Sequence, residues 1–114
     1  MSELKLTHSE YKAEGIRIAC SNSEGVEIGH VYIYCILNEP RQKPYAFLED
    51  LFVEETERSK GVGNQILEEA IRVARERGCY KLWGTSRFSR EDVHAWYERK
   101  GFEKHGYEFR MDLN

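Results

Sequence analysis

The residues whose types and spacing speak most directly of chemistry lie between Ala46 and Leu67, in the stretch AFLEDLFVEETERSKGVGNQIL. A mostly apolar run, Phe47, Leu48, Leu51, Phe52 and Val53, reads as a strand. A charged turn from Glu54 to Arg58 follows. Next comes Arg58-Ser59-Lys60-Gly61-Val62-Gly63, after which the apolar spacing becomes helical. Two glycines where a loop opens a helix admit backbone conformations closed to other residues, and they let a ligand approach the main chain without meeting a Cβ. The first N–H groups of such a helix converge where its dipole is positive, a setting that suits a phosphate or diphosphate. A Walker loop is excluded, because Gly63 is followed by Asn64 and Gln65. A dinucleotide fingerprint is excluded as well, because Ile66 stands where its third glycine or alanine belongs.

Glu49 and Asp50 are adjacent carboxylates on the strand that feeds this loop. In a regular strand neighbouring side chains point to opposite faces, so only one of the two would face a site. Cys20, Cys35 and Cys79 are odd in number, widely spaced and set in apolar sequence, which suits small core residues better than disulfides or a zinc site. His8, His30, His94 and His105 show no ligand spacing, so no metal is expected.

These residues need a scaffold of modest size. With 114 residues, 40% of them hydrophobic, residues 1–114 form a single domain with one core. A formal charge of −3 leaves no basic footprint for nucleic acid. No apolar run approaches the roughly 20 residues that a membrane span needs, and MSELKLTHSE lacks the regions of a signal peptide, which implies a cytoplasmic protein.

Leu4 to Thr7 reads as a short first strand and Ile16 to Cys20 as a second. The turn cluster Ser21 to Gly25 leads into a long strand, Val26 to Leu37. Pro40 and Pro44 make residues 38–44 a connector, since neither suits a central strand, and Tyr45 to Val53 completes a meander. From Gly61 to Arg77, Val62, Ile66, Leu67, Ala70, Ile71 and Ala74 form one helical stripe, closed by Gly78. Tyr80 to Thr85 should pair parallel with the preceding strand across that helix. Ser89 reads as the N-cap of a second helix running to Lys100, stopped by Gly101, and Phe102 to Leu113 is strand-like. The class is α+β, or mixed α/β: a mixed, mostly antiparallel sheet with two main helices.

Three segments in order carry a resemblance to a known family. Arg58-x-x-Gly61-x-Gly63 after a strand is similar to the acetyl-CoA loop of the GCN5-related N-acetyltransferases (GNAT). Val93-His94-Ala95-Trp96-Tyr97-Glu98-Arg99-Lys100-Gly101-Phe102 is similar to their late helix, and Leu48-Glu49-Asp50-Leu51-Phe52-Val53 resembles the L-E-D-x-F-V of diamine acetyltransferases in the same superfamily. The resemblance implies a GNAT-like fold and transfer of an acetyl group from acetyl-CoA, as cosubstrate and without a metal, to a primary amine by direct attack in a ternary complex. By the same likeness, main-chain groups of Leu51 and Val53 would hold the pantetheine arm. If the sheet splays apart there, a backbone N–H near Phe52 or Val53 would donate to the acetyl carbonyl. Arg58, Ser59, Lys60, Gly61, Val62, Gly63 and Asn64 would hold the diphosphate. Glu49 would be the base, and Tyr97 would lie near the thioester sulfur, with His94 on the same helix face more suited to packing or capping.

The acceptor would be a small-molecule amine or a protein amino group, and a homodimer is allowed. Two departures stand out. Arg90 occupies a position where many members carry Asn, and residues 7–15 are too few for the two helices that members usually place between their first two strands. Those helices wall the acceptor site. A CoA-binding module without catalysis, its acceptor site completed by a partner, is therefore the competing expectation, and an interaction domain that binds no nucleotide is the third.

Overall fold

Alternation of apolar and polar side chains, with β-branched and aromatic residues enriched, lays down the sheet. The computed structural model describes residues 3–114. They form two compact units, a first through Trp83 and a second, Gly84–Asn114. The first holds β1 (Ala13–Ser21), β2 (Glu27–Asn38), β3 (Lys43–Val53), α1 (Val62–Glu76) and β4 (Leu82–Trp83). The sheet order is β1-β2-β3-β4; the first three strands are antiparallel and β4 runs parallel to β3.

One face of this sheet carries the core. Val31, Ile33 and Cys35 of β2 and Ala46 and Leu48 of β3 are buried there, together with Ile66, Leu67, Ala70 and Ala74 from the apolar stripe of α1. Helix and sheet meet closely at Gly29. A Cβ there would stand 2.7 Å from Cδ1 of Ile66 and 2.9 Å from the carbonyl oxygen of Phe52. The outer face of α1 is laced by Arg72, which bonds Glu69 and Glu76, each at 2.6 Å. At its end, Cys79 N–H reaches the Ala74 carbonyl and Gly78 N–H the Arg75 carbonyl, the paired bonds of a Schellman cap. Cys35 and Cys79 bring their thiols within 3.7 Å, and burial with the neighbouring thiol pushes Cys79 up to about 11.

The second unit contains α2 (Glu91–Arg99). It closes as α1 does: Phe102 N–H bonds the Tyr97 carbonyl, Gly101 N–H the Glu98 carbonyl, and the Phe102 ring packs edge-on against Tyr97 at 5.0 Å. The Tyr…Gly-Phe spacing is thus the apolar contact that accompanies such a cap. Among the described residues no helix is long and apolar enough to cross a membrane.

Several local expectations differ from what forms. Leu4 and Leu6 are 94% and 90% exposed and belong to no strand, and β4 is two residues long. Residues 102–113 carry a strand-like alternation but no regular structure, since among the described residues no ladder partner pairs with them. Arg90, not Ser89, is the N-cap of α2, and its guanidinium turns to Asp92 instead of capping. Pro44 lies inside β3, paired with Leu37. Its carbonyl accepts from Tyr80 N–H, so its nitrogen points to the β4 flank, and the ladder to β2 loses no donor.

Gly29→Ala should therefore lower the midpoint of thermal or denaturant unfolding, by about 1–3 kcal/mol if it behaves like other overpacked cores. The backbone oxygen of Phe52 cannot swing aside as a side-chain tip can. An unchanged midpoint would mean that α1 is not seated on β2 as described.

Candidate functional site

Gly61 stands immediately before α1 with φ 84° and ψ 5°, a left-handed conformation that disfavours residues bearing a Cβ. A Cβ there would meet nothing within 4 Å, so the space above the turn is open. The N–H groups of Val62 and Gly63 come ahead of the first intrahelical bond, from Gln65 N–H to the Gly61 carbonyl at 3.1 Å. No acidic residue lies in the first turn and no side chain caps it, so no carboxylate of that turn opposes an anion at its positive end. Ser59 also takes positive φ, 65°. Arg58 donates Nε–H to the Val53 carbonyl at 3.0 Å, tying the loop back to the end of β3, and its guanidinium lies 5.8 Å from the Phe52 ring centre. Lys60 reaches Glu57 at 3.4 Å. This cradle fits the diphosphate that the loop motif implies.

β3 contains the second feature. Across β2 the register runs His30 to Phe52 but Tyr32 to Glu49, so β3 carries one extra residue, a β-bulge. Asp50 sits at the bulge with φ 54°. Before it, Pro44 and Ala46 turn their main-chain groups toward β4. After it, Glu54 N–H bonds the Ile28 carbonyl of β2, so by alternation Val53 and Leu51 face the other flank. Among the described residues, β3 pairs with β4 only at Ala46 and Phe47. Past Phe47 that edge is unpaired, with the Val53 carbonyl taken by Arg58.

The bulge also overturns the idea that one carboxylate alone can face a site. Glu49 lies across from Tyr32, on the sheet face opposite α1, and Asp50 Oδ2 bonds His30 Nε2 on the same face at 3.0 Å. Both carboxylates are exposed. Around them the face is aromatic: Tyr32 and Tyr34 stack at 6.5 Å, Phe47 and Trp83 lie 5.1 Å apart, and Tyr34 and Trp83 remain about two-fifths open, at 40% and 41%. Arg17 clamps Glu27 through two bonds of 2.7 and 2.6 Å and donates to the Tyr32 hydroxyl at 3.1 Å. Its hydrogen bonds hold the Glu27 carboxyl below the usual range. Residue-by-residue reading passed over His30 and the bulge. The signal was present, for the buried Ala46 and Leu48 are followed by the half-buried Leu51 and Val53, a change of parity across Glu49-Asp50.

Tyr97 belongs to the second unit. Its ring packs against Trp96 and Phe102 and lies 3.3 Å from where a Cβ on Gly84 would be. Burial pushes its phenol above the ordinary value. His94 Nε2–H donates to the Arg87 carbonyl at 2.8 Å, bracing the turn ahead of α2 as expected of a packing residue. Among the described residues no three His, Cys, Asp or Glu side chains gather as a metal ion would need.

Comparison with known proteins bears on the family of the chain. Residues 3–102 match the model of the acetyltransferase (GNAT) family. Over 104 residues the chain is 30% identical to aminoglycoside N(6')-acetyltransferase type 1 of Stenotrophomonas maltophilia, covering 88% of this chain and 67% of that protein. Over 66 residues it is 32% identical to glucosamine 6-phosphate N-acetyltransferase of Trypanosoma brucei brucei, covering 58% and 43%. A crystal structure of a Trypanosoma brucei acetyltransferase superposes with a TM-score of 0.79 at 25% identity, over 87% of this chain and 69% of that one. The chain is therefore shorter than these relatives, spanning 43% to 69% of their lengths.

The burial of Tyr97 has a spectroscopic consequence. Its phenolate absorbance, isolated as the difference between the wild type and Tyr97→Phe, should reach half-height above the ordinary phenol value of about 10. Desolvation disfavours the charged form, so the neutral hydroxyl persists through neutral and mildly alkaline pH. A half-point at or below the ordinary value would place the ring in water.

Proposed function

The chain belongs to the acetyltransferase (GNAT) family, and on that footing we propose that it is an N-acetyltransferase, moving an acetyl group from acetyl-CoA to a primary amine within a ternary complex. One observation carries the reading. A left-handed glycine opens α1 beside a β3 edge that is unpaired beyond Phe47, so anion-binding N–H groups and free strand groups lie one loop apart. In this reading Arg58 to Asn64 hold the diphosphate of acetyl-CoA, and Leu51 and Val53 hold its pantetheine arm as an added strand would be held. The bound cosubstrate supplies an acetyl thioester.

The chain's own groups then handle protons and charge. A primary amine with pKa near 10 is mostly protonated at neutral pH, and it must lose a proton before it can attack. Glu49 is the acceptor of that proton, directly or through water, and Asp50 beside it favours a cationic substrate. In this reading the Val53 N–H, on the open flank, donates to the acetyl oxygen. Tyr97 supports the departing sulfur. Full transfer from an ordinary phenol to a thiolate near 8.5 is uphill by about 2 kcal/mol, and burial makes it more so. Tyr97 therefore acts chiefly by donating a hydrogen bond.

The named relatives act on amines of sugars, so small-molecule amines are the first acceptors to test and protein amino groups the second. The reaction is assigned to the cytoplasm, with neither nucleic acid nor membrane as partner. Described residues before β1 contain no helix, which keeps the alternative of a CoA-binding module alive. Titrating free thiol after incubation with acetyl-CoA and a panel of amines separates the two, since the module would bind CoA by calorimetry and release no thiol. For the enzyme, Tyr97→Phe should lower turnover about tenfold or more while leaving CoA affinity within a factor of two or so. Equal turnover in the two proteins would remove Tyr97 from the mechanism.

A further inference from the structure

Asp50 is a non-glycine residue held at φ 54°, and such strain persists where neighbouring groups over-determine it. The side chain that reaches it is His30, whose Nε2 lies 3.0 Å from Asp50 Oδ2. An ionised carboxylate only accepts, so Nε2 carries the proton of this bond. His30 is itself well fixed. Its ring packs against Tyr32 and Phe52, both at 5.6 Å, and its side chain is only 17% exposed, against 66% for Asp50. Its other nitrogen faces Glu27 Oε2 at 3.7 Å, and Glu27 is gripped by the two bonds from Arg17. The result is a polar line, Arg17, Glu27, His30, Asp50, crossing β1, β2 and β3 on the face opposite α1.

An exposed ion pair of this kind contributes little to stability. What the arrangement does supply is direction: a shielded ring fixes an exposed carboxylate, next to Glu49, at the bend of the strand. We propose that His30 is a positioning residue of the acceptor site, holding the Asp50 carboxylate in the orientation that receives the acceptor's ammonium group. The proposal rests on the acetyl-transfer reading above and adds to it a residue that touches neither substrate nor cosubstrate.

Three variants test it. His30→Phe keeps a ring and removes the donor; His30→Gln keeps an N–H near the position of Nε2; His30→Asn moves its N–H to the Glu27 side, out of reach of Asp50. His30→Phe and His30→Asn should raise the amine KM roughly tenfold, the scale of a charge-assisted hydrogen bond, with CoA affinity by calorimetry unchanged. His30→Gln should recover most of the loss. In an Asp50→Ala background His30→Phe should add nothing further. If His30→Phe does not fold, the contrast between Gln and Asn decides.

Carbon-13 NMR of the Asp50 carboxyl gives a readout that needs no activity. Its chemical shift at neutral pH should move in His30→Phe and stay near wild type in His30→Gln. Wild-type amine KM in His30→Asn, additivity with Asp50→Ala, or an Asp50 resonance indifferent to His30 would each overturn the proposal. A wild-type protein that acetylates no amine would instead defeat the functional reading, while the NMR comparison would still decide whether His30 holds Asp50.

Discussion

A single added residue in β3 governs more of this molecule than its size suggests. Without the bulge at Asp50, strand alternation would carry Asp50 toward α1, and the main-chain groups of Leu51 and Val53 would turn to β2. With it, Glu49 and Asp50 share one face, while Leu51 and Val53 turn to the flank that β4 leaves open beyond Phe47. The backbone cost of a left-handed aspartate, of order 1–2 kcal/mol, is offset chiefly by the pairing restored at Phe52 and Val53.

The same strand links the two ends of the proposed site. Its carboxylates stand on the aromatic face, and its last carbonyl, that of Val53, anchors Arg58 and with it the loop that turns into α1. α1 is seated by Gly29, whose missing side chain lets Ile66 and the Phe52 carbonyl close in. A disturbance at Gly29 would therefore reach both the helix that opens at Gly61 and the strand that carries the carboxylates. Electrostatics follow this division: the positive end of α1 lies at its opening turn, and Glu27, Glu49 and Asp50 are on the sheet face away from that helix.

Much of this was legible in the chain. The order of strands and helices, the parallel pairing of β3 with β4, the glycine turn before α1 and the caps at Gly78 and Gly101 follow from periodicity and turn chemistry, which act over a few residues. The failures have a common cause. Leu4 to Thr7 and residues 102–113 have strand-like composition, but a strand exists only where another strand supplies its ladder, and composition does not report the neighbour. Pro44 was misjudged for the opposite reason, because the pairing geometry spares the donor that proline lacks.

By itself, then, the sequence determined the order of the elements from β1 to α2, the α+β class, the glycine turn ahead of α1 and the family likeness, because each is written in local spacing. The tertiary structure alone decided which side of the sheet each carboxylate takes and which flank the main-chain groups of β3 face. It also decided that His30, 20 positions away in the chain, is the partner of Asp50. Those outcomes depend on the register between β2 and β3, a long-range pairing in which one inserted residue reverses every side chain after it.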